Sequence, residues 1–181
     1  LTAICQQHAI ELDDIIRLSH GTTVGTNALI QRSGKTVALI TTKGFRDLLE
    51  IGRQTRPHMY DLQRDHPAPL VDRENRIELD ERMDAQGDVV TAPTSEAIEQ
   101  AIDAVIATGA TACAIGILFA FRNPAHEQLV ADIMRQRAPH IALSLSCEVQ
   151  PEFREYERLS TTVLNAYLQP VMWHYLETLE A

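Results

Sequence analysis

The chain has 181 residues, of which 45% are hydrophobic and 23% charged, which fits roughly one globular domain with a sizeable core. Its net charge of −9 argues against general nucleic-acid binding, because such proteins need a basic face. The longest apolar stretch, residues 112–121, is far shorter than the roughly 20 residues of a membrane helix. We therefore predict no nucleic-acid partner and no membrane partner.

The three cysteines, Cys5, Cys113 and Cys147, are widely spaced and form no Cys-x-x-Cys pair. This spacing argues against a disulfide framework or a cysteine zinc site. Reduced thiols are typical of cytosolic proteins, so we predict a cytoplasmic location. The chain begins without Met and without the basic leader and apolar run of a signal peptide, and we expect it to be a piece of a longer polypeptide.

The first half of the chain predicts short elements and one long loop. The predicted elements are the tail of a helix at 1–12, a strand at 15–19, a helix that begins at 20–23 and ends at Gly34, a buried strand at 36–41 and a short helix at 44–51. Residues 53–71 hold three prolines and no clean period, which predicts a long irregular loop of the kind that is often functional. Residues 76–83 and 88–90 flank a predicted hairpin turn at 84–87.

The second half alternates strands and helices regularly. The predicted elements are a helix capped by Thr94 or Ser95 and stopped by Gly109, a strand at 112–119, a helix from Asn123-Pro124 to Pro139, a strand at 141–145, and a helical segment after Pro151 that Pro170 should kink or restart. The predicted buried positions of that last segment include Phe153, Tyr156 and Leu159. Such alternation implies parallel strands with crossover helices, so we predict an α/β fold whose parallel or mixed sheet is flanked by helices.

Residues 19–27 (SHGTTVGTN) combine a strand end, a glycine turn and hydroxyl residues at a helix start. A helix N-terminus offers unpaired N–H groups and the positive end of the helix dipole, which suit phosphate. Thr22, Thr23 and Thr26 could add hydroxyl donors. The alternative is an ordinary capped helix start, and the segment is not a Walker loop because no Gly-Lys-Ser/Thr follows.

Arg53 and Arg56 lie three residues apart after Gly52. Two guanidinium groups at this spacing could grip a carboxylate or a phosphate, and the alternative is a solvated loop. Two histidines and two aspartates follow within residues 58–66, but no helical His-x-x-x-His pair fixes them, so we predict no metal site. Residues 152–158 are explained by an amphipathic helix with ion-paired flanks.

Six segments, taken in order, resemble one family. They are residues 20–29 (HGTTVGTNAL), 41–47 (TTKGFRD), 50–57 (EIGRQTRP), 60–62 (YDL), 121–127 (FRNPAHE) and 152–158 (EFREYER). Together they are similar to the hydantoinase A/5-oxoprolinase family, which includes N-methylhydantoinases and a large acetone carboxylase subunit. The resemblance implies an ATP-dependent enzyme with an actin-like nucleotide-binding core that opens small cyclic amides, using ATP and Mg²⁺ in the full-length protein.

The resemblance and the chemistry of amide activation also imply roles for eight residues. We predict phosphate binding by His20, Gly21 and Thr26, catalytic phosphate contacts or water positioning by Thr22 and Thr23, and substrate binding by Arg53, Gln54 and Arg56. Both phosphate loops of the family are missing from this chain, so we expect a fragment that neither binds ATP tightly nor opens a cyclic amide alone. We divide it into the end of a nucleotide-binding subdomain (1–35), an α/β domain with a hairpin insertion (36–150) and a helical segment (151–181).

The expected partners are a small cyclic-amide substrate and the rest of the parent polypeptide or a second hydantoinase subunit, in an oligomeric enzyme. Two alternatives stay open. The region could be a non-catalytic scaffold or interaction domain of that enzyme, or it could belong to an acetone carboxylase-type subunit.

Overall fold

A computed structural model describes residues 5, 7–8, 11–17, 19–55, 57–61 and 63–180. Most of the helix tail predicted at residues 1–12 lies outside this part of the chain, as does Arg56, one of the predicted substrate contacts. None of the described helices combines the length and the apolar character needed to cross a bilayer.

The described residues contain six strands, which form two sheets. Their bounds are β1 (Val37–Thr42), β2 (Arg76–Leu79), β3 (Arg82–Met83), β4 (Val89–Thr91), β5 (Ala112–Gly116) and β6 (Ala142–Leu145). Four of them make a fully parallel sheet in the order β2–β1–β5–β6, with Val37 opposite Ala112 and Ile40 opposite Ile77. The predicted α/β fold with a parallel sheet is therefore confirmed.

Six α-helices with defined bounds lie in the part of the chain that the structure describes. They are α1 (Val24–Ile30), α2 (Leu48–Ile51), α3 (Ser95–Ala107), α4 (Ala125–Arg137), α5 (Ser146–Val149) and α6 (Glu155–Glu180). Thr94 caps α3 as predicted, because its Oγ1 accepts the Ala97 N–H at 3.1 Å. Gly109 ends that helix in a left-handed conformation, at φ +69°.

The central strands β1 and β5 are buried on both faces, which explains their continuous apolar runs. Side chains alternate along β1, so that Ala38 and Ile40 pack with α3 and α4, whereas Val37 and Leu39 pack with α6. The result is three layers, with α6 alone covering most of the second face.

Two glycines let α6 approach this closely. A Cβ at Gly116 in β5 would lie 2.1 Å from Leu159 Cδ1, and a Cβ at Gly34 would lie 2.2 Å from the ring of Tyr167. The Tyr167 hydroxyl also accepts the Gly34 N–H at 2.7 Å. Helix α6 is 26 residues long, or about 39 Å, and it continues through Pro170 without the predicted restart.

Three predictions about local structure are wrong. The described residues of 15–19 form no strand, because Ile16 is fully exposed and the segment has no buried face. Residues 76–79 pair in parallel with β1 and not in the hairpin, which β3 and β4 form alone. After α1, the left-handed residue is Arg32, at φ +52°, and not Gly34.

Several apolar side chains lie outside the core, among them Phe153, Ile106 and Leu129. Phe153 is 67% exposed because it precedes the first turn of α6, and Ile106 and Leu129 lie at the solvent edges of their helices. Exposed apolar side chains of this kind are common on protein surfaces.

Candidate functional site

The predicted phosphate-binding segment lies at the exposed start of α1. Gly21, Thr22, Thr23 and Thr26 are all exposed. Thr22 Oγ1 accepts the Val24 N–H at 3.2 Å, so one N–H of the helix start is already paired. Thr23 Oγ1 accepts from Asn27 Nδ2 at 3.3 Å, and the side chain of Thr26 is exposed.

His20 is placed by the far end of the chain. Its Nε2 is hydrogen-bonded to the hydroxyl of Tyr175 in α6, and the two rings stack with centroids 5.9 Å apart. Helix α1 packs on the same half of α6, where Gly25 faces Met172 Sδ. The segment is therefore attached to the C-terminal half of α6.

The predicted substrate-binding residues lie at the other end of α6. Arg53 Nε is 2.5 Å from Glu157 Oε1 in the first turns of that helix. Gln54 is exposed, with a left-handed φ of +56°. Eighteen residues of helix separate Glu157 from Tyr175, which amounts to about 27 Å at 1.5 Å per residue. Within this chain, the two predicted groups are not brought together.

Arg53 lines a cleft of about 850 Å³ between α2, the loop after it and the start of α6. Besides Arg53, its lining residues are Leu49, Glu50, Ile51, Gly52, Thr55, Asp65, His66, Pro67, Ala68, Pro69 and Tyr156. A cleft of this size, with mixed polar and apolar walls, can hold a small molecule.

Buried and backbone contacts hold the cleft walls in place. Glu50 in α2 accepts a hydrogen bond from the buried Arg76 Nη1 at 2.5 Å. On the opposite wall, Arg32 donates to the carbonyl oxygens of Ala68 and Pro69 at 2.5 and 3.2 Å. The predicted irregular loop is confirmed in its described part, since residues 53–55, 57–61 and 63–71 form no helix or strand.

The histidines of this loop make hydrogen bonds within it. His66 Nε2 lies 2.6 Å from the Thr55 carbonyl oxygen, and His58 Nε2 lies 2.8 Å from Arg64 Nη1. In the described part of the chain, no three His, Cys, Asp or Glu side chains cluster as metal ligands would.

A second polar group, which the sequence did not reveal, lies where the parallel strands end. This polar edge cluster consists of Thr42, Glu81, Glu127, Arg158, His126, Ser146 and Glu155. Glu81 accepts from the Thr42 hydroxyl and pairs with His126 Nδ1 at 2.7 Å, and Thr42 Oγ1 in turn accepts the Leu118 N–H at 3.0 Å. The carboxyl ends of parallel strands are the usual position of sites in such sheets.

Glu127 is the most heavily bonded carboxylate of the polar edge cluster. It accepts the Ile117 N–H at 2.8 Å, the Ser146 hydroxyl at 2.6 Å and the Cys147 N–H at 2.9 Å. Burial raises the pKa of Glu127, and these three hydrogen bonds only partly oppose the rise. The same surroundings disfavour the thiolate of Cys147, because its own partial burial and then the Glu127 charge raise the pKa of its thiol to about 12.

Arg158 joins the polar edge cluster to α6. Its side chain is buried, donates from Nη2 to the Ile117 carbonyl oxygen at 2.7 Å, pairs with Glu155, and lies over the Phe121 ring at 5.3 Å. Two of the segments that carried the family resemblance, 121–127 and 152–158, thus meet at this edge. The only signal for this site in the sequence is that both segments carry the family resemblance, because the sequence does not show which strand ends are neighbours.

Comparisons with known proteins identify the family and support the α/β fold. The family model described as the hydantoinase/oxoprolinase N-terminal region matches residues 1–138. The caprolactamase subunit alpha of Pseudomonas jessenii is 39% identical over 164 residues, covering 90% of this chain and 24% of the relative. The crystal structure of the ATP-dependent caprolactamase from the same organism superposes with a TM-score of 0.89 at 35% identity, over 99% of this chain and 27% of that one.

Two further relatives represent different reactions. The 5-oxoprolinase of Saccharomyces cerevisiae is 31% identical over 200 residues, covering 95% of this chain and 15% of the relative. The acetophenone carboxylase gamma subunit of Aromatoleum aromaticum is 37% identical over 174 residues, covering 88% and 23%. The chain therefore spans about a quarter or less of the length of the relatives it matches.

Proposed function

The chain belongs to the hydantoinase/oxoprolinase family, whose N-terminal region it matches, and we propose that it forms part of an ATP-dependent enzyme that opens a small cyclic amide. The observation that carries the proposal is the position of Arg53, which belongs to a family-like segment and lines a cleft of small-molecule size. A caprolactamase and a 5-oxoprolinase among the relatives both carry the name of a cyclic-amide substrate.

The chemistry explains why such an enzyme needs ATP. Resonance gives the amide C–N bond partial double-bond character and makes the amide carbon a poor electrophile. Phosphoryl transfer from ATP to the amide oxygen releases ADP and removes that resonance. Water can then add to the carbon and the ring nitrogen can leave as an amine, which gives an acyl phosphate that a second water hydrolyses to a carboxylate and free phosphate.

Arg53 suits the binding step of this reaction. Its guanidinium is always charged and presents several donors in a fixed plane, so it can hydrogen-bond an amide oxygen and stabilise negative charge that develops there. Gln54 and Arg56 are proposed as further substrate contacts because they follow Arg53 in the same segment. Tyr156 adds an aromatic wall against which a flat ring can pack.

The segment around Thr22 is proposed to contact phosphate. Its support is the exposure of the Thr22, Thr23 and Thr26 side chains at a helix start, together with the family resemblance. Because this segment lies about 27 Å along α6 from the cleft, it would serve the same reaction only if the remainder of a longer protein completed a site beside it. On this basis we propose that the described chain alone neither holds ATP tightly nor turns over substrate.

The direct test is ATP-dependent ring opening by the whole protein. We would incubate it with ATP, Mg²⁺ and either hydantoin, N-methylhydantoin, 5-oxoproline or caprolactam, and measure phosphate and the ring-opened amino acid. The expected result is stoichiometric release of both products with at least one substrate. Arg53→Ala should raise KM for that substrate about tenfold or more, equivalent to losing about 1.4 kcal/mol of binding. The absence of substrate-dependent ATP hydrolysis with all four compounds would contradict the proposal.

Relatedness to the acetophenone carboxylase gamma subunit supports one second candidate, a carboxylase-type reaction. It shares the need to activate a carbonyl group with ATP. A parallel assay with acetone or acetophenone plus bicarbonate separates the two candidates, since only a carboxylase would release phosphate in a manner dependent on both ketone and bicarbonate.

A further inference from the structure

We infer that Glu157 is a positioning residue that orients the guanidinium of Arg53 for an uncharged amide oxygen in the cleft. This inference rests on the proposed function, because it assigns a task to a second residue of the same cleft. The sequence alone indicates no role for Glu157 beyond an ion-paired helix flank.

The geometry of the ion pair leaves most of the guanidinium available. Only Nε of Arg53 contacts Glu157, through Oε1 at 2.5 Å. Among the described residues, neither Nη1 nor Nη2 of Arg53 has a hydrogen-bond partner. The pair therefore fixes one edge of the guanidinium and leaves two nitrogens for ligand oxygen atoms.

Glu157 lies on a packed helix, whereas Arg53 lies on an exposed loop. Glu157 lies in α6 next to Arg158 and Leu159, which are both buried. Arg53, in contrast, lies between Gly52 and Gln54, which both have left-handed backbone conformations, and its side chain is 62% exposed. An ion pair from a packed helix to a loop residue selects one of the many rotamers of that arginine.

Folding stability does not account for the pair. Exposed ion pairs contribute little to stability, because water screens the charges and two long side chains lose rotamer freedom. Its effect should therefore be seen in ligand binding, where pre-orienting a donor removes an entropic cost from the binding step.

The charge of Glu157 predicts which ligand oxygen is preferred. It compensates the charge of Arg53, so the cleft gains less from a carboxylate on the ligand than an isolated arginine would offer. Removing the carboxylate of Glu157 should thus harm binding of the neutral hydantoin more than binding of the anionic 5-oxoproline, because for the anion the lost positioning is offset by reduced repulsion.

The experiment is a double-mutant cycle in the whole protein, with calorimetric binding of hydantoin and 5-oxoproline in the absence of ATP. We expect Glu157→Ala to weaken hydantoin binding about tenfold, to weaken 5-oxoproline binding less, and to have no further effect in an Arg53→Ala background. Glu157→Gln should rescue part of the hydantoin affinity, because its amide oxygen can still accept from Nε. Asp132→Asn is the matched control, since it removes one charge from an exposed ion pair with Arg135 on α4.

The outcomes separate the inference from the proposed function. If Arg53→Ala binds both ligands as the wild type does, or if the wild type binds neither, the cleft assignment fails. If Arg53→Ala weakens binding but Glu157→Ala does not, or if the two substitutions act additively, the positioning role is overturned while the cleft assignment stands. An equal loss for hydantoin and 5-oxoproline would overturn the charge argument.

Discussion

The polar edge cluster and the cleft place charged side chains on the same helix in opposite settings. Arg158 is buried and pairs with Glu155 and a backbone carbonyl, whereas one residue earlier Glu157 holds an arginine that is mostly exposed. Buried charges need full compensation, and removing one partner is costly. We conclude that the polar edge cluster fixes the loops at the strand ends, and that the cleft keeps a charged group free for a ligand.

The largest expected effect comes from emptying the polar edge cluster. Glu127→Ala leaves two backbone N–H groups and the Ser146 hydroxyl without their acceptor. We expect the free energy of unfolding to fall by about 3–5 kcal/mol, measured by denaturant titration. Glu148→Ala, an exposed carboxylate in α5, is the control and should stay within about 0.5 kcal/mol. If Glu127→Ala and Glu148→Ala lowered the free energy of unfolding equally, the polar edge cluster would have no special structural role.

The next largest effect on stability comes from the packing of α6, the helix that contributes side chains to both the polar edge cluster and the cleft. A methyl group at Gly116 would lie 2.1 Å from Leu159 Cδ1, so Gly116→Ala must displace the leucine and the start of α6. We expect a loss of about 1–3 kcal/mol in the free energy of unfolding, together with weaker ligand binding in the cleft. Gly21→Ala is the control for stability, since no atom lies within 4 Å of the added Cβ. Unchanged binding in a destabilised Gly116→Ala protein would show that the cleft is independent of α6 packing.

Protonation of Glu127 provides a milder test. Burial raises the folded-state pKa of Glu127 above its ordinary 4.5, so the folded state binds this proton more tightly than the unfolded state does. Its stabilising contribution is complete below the unfolded-state pKa and is lost as pH rises through the raised folded-state pKa. Glu127→Gln cannot titrate. The difference in unfolding free energy between wild type and Glu127→Gln should therefore shift against the wild type as pH rises above 4.5, and a difference independent of pH would contradict the raised pKa.

The sequence predicted the second half of the fold well because local signals coincide there. Thr94 caps its helix, Gly109 ends it, and the apolar period changes from helix to strand on either side. The strand predicted at 15–19 failed because an apolar run is ambiguous without a partner strand. The family-like segment containing Arg53 could be predicted to have a function, but the ion pair with Glu157 could not, since 104 residues separate them.

The polar edge cluster was missed for a related reason. His126 and Glu127 were visible as part of a family-like segment, yet nothing local shows that Glu81 lies against His126, 45 residues away. That contact depends on β2 joining the parallel sheet next to β1, whereas its sequence suggested a hairpin. One strand assigned to the wrong sheet was therefore enough to hide the cluster.

The smallest expected effect on stability comes from the cleft ion pair, and it distinguishes the cleft most clearly from the polar edge cluster. Arg53→Ala and Glu157→Ala each remove one member of an exposed ion pair, so the free energy of unfolding should change by less than about 1 kcal/mol. Asp132→Ala breaks the exposed pair on α4. It should change the free energy of unfolding as little as these two substitutions do, and it should leave ligand binding intact. A loss for Glu157→Ala comparable with that of Glu127→Ala would instead place the cleft ion pair among the structural contacts of the fold. A near-zero change in the free energy of unfolding, together with weakened hydantoin binding, is the result expected if the Arg53 guanidinium is kept free for a ligand.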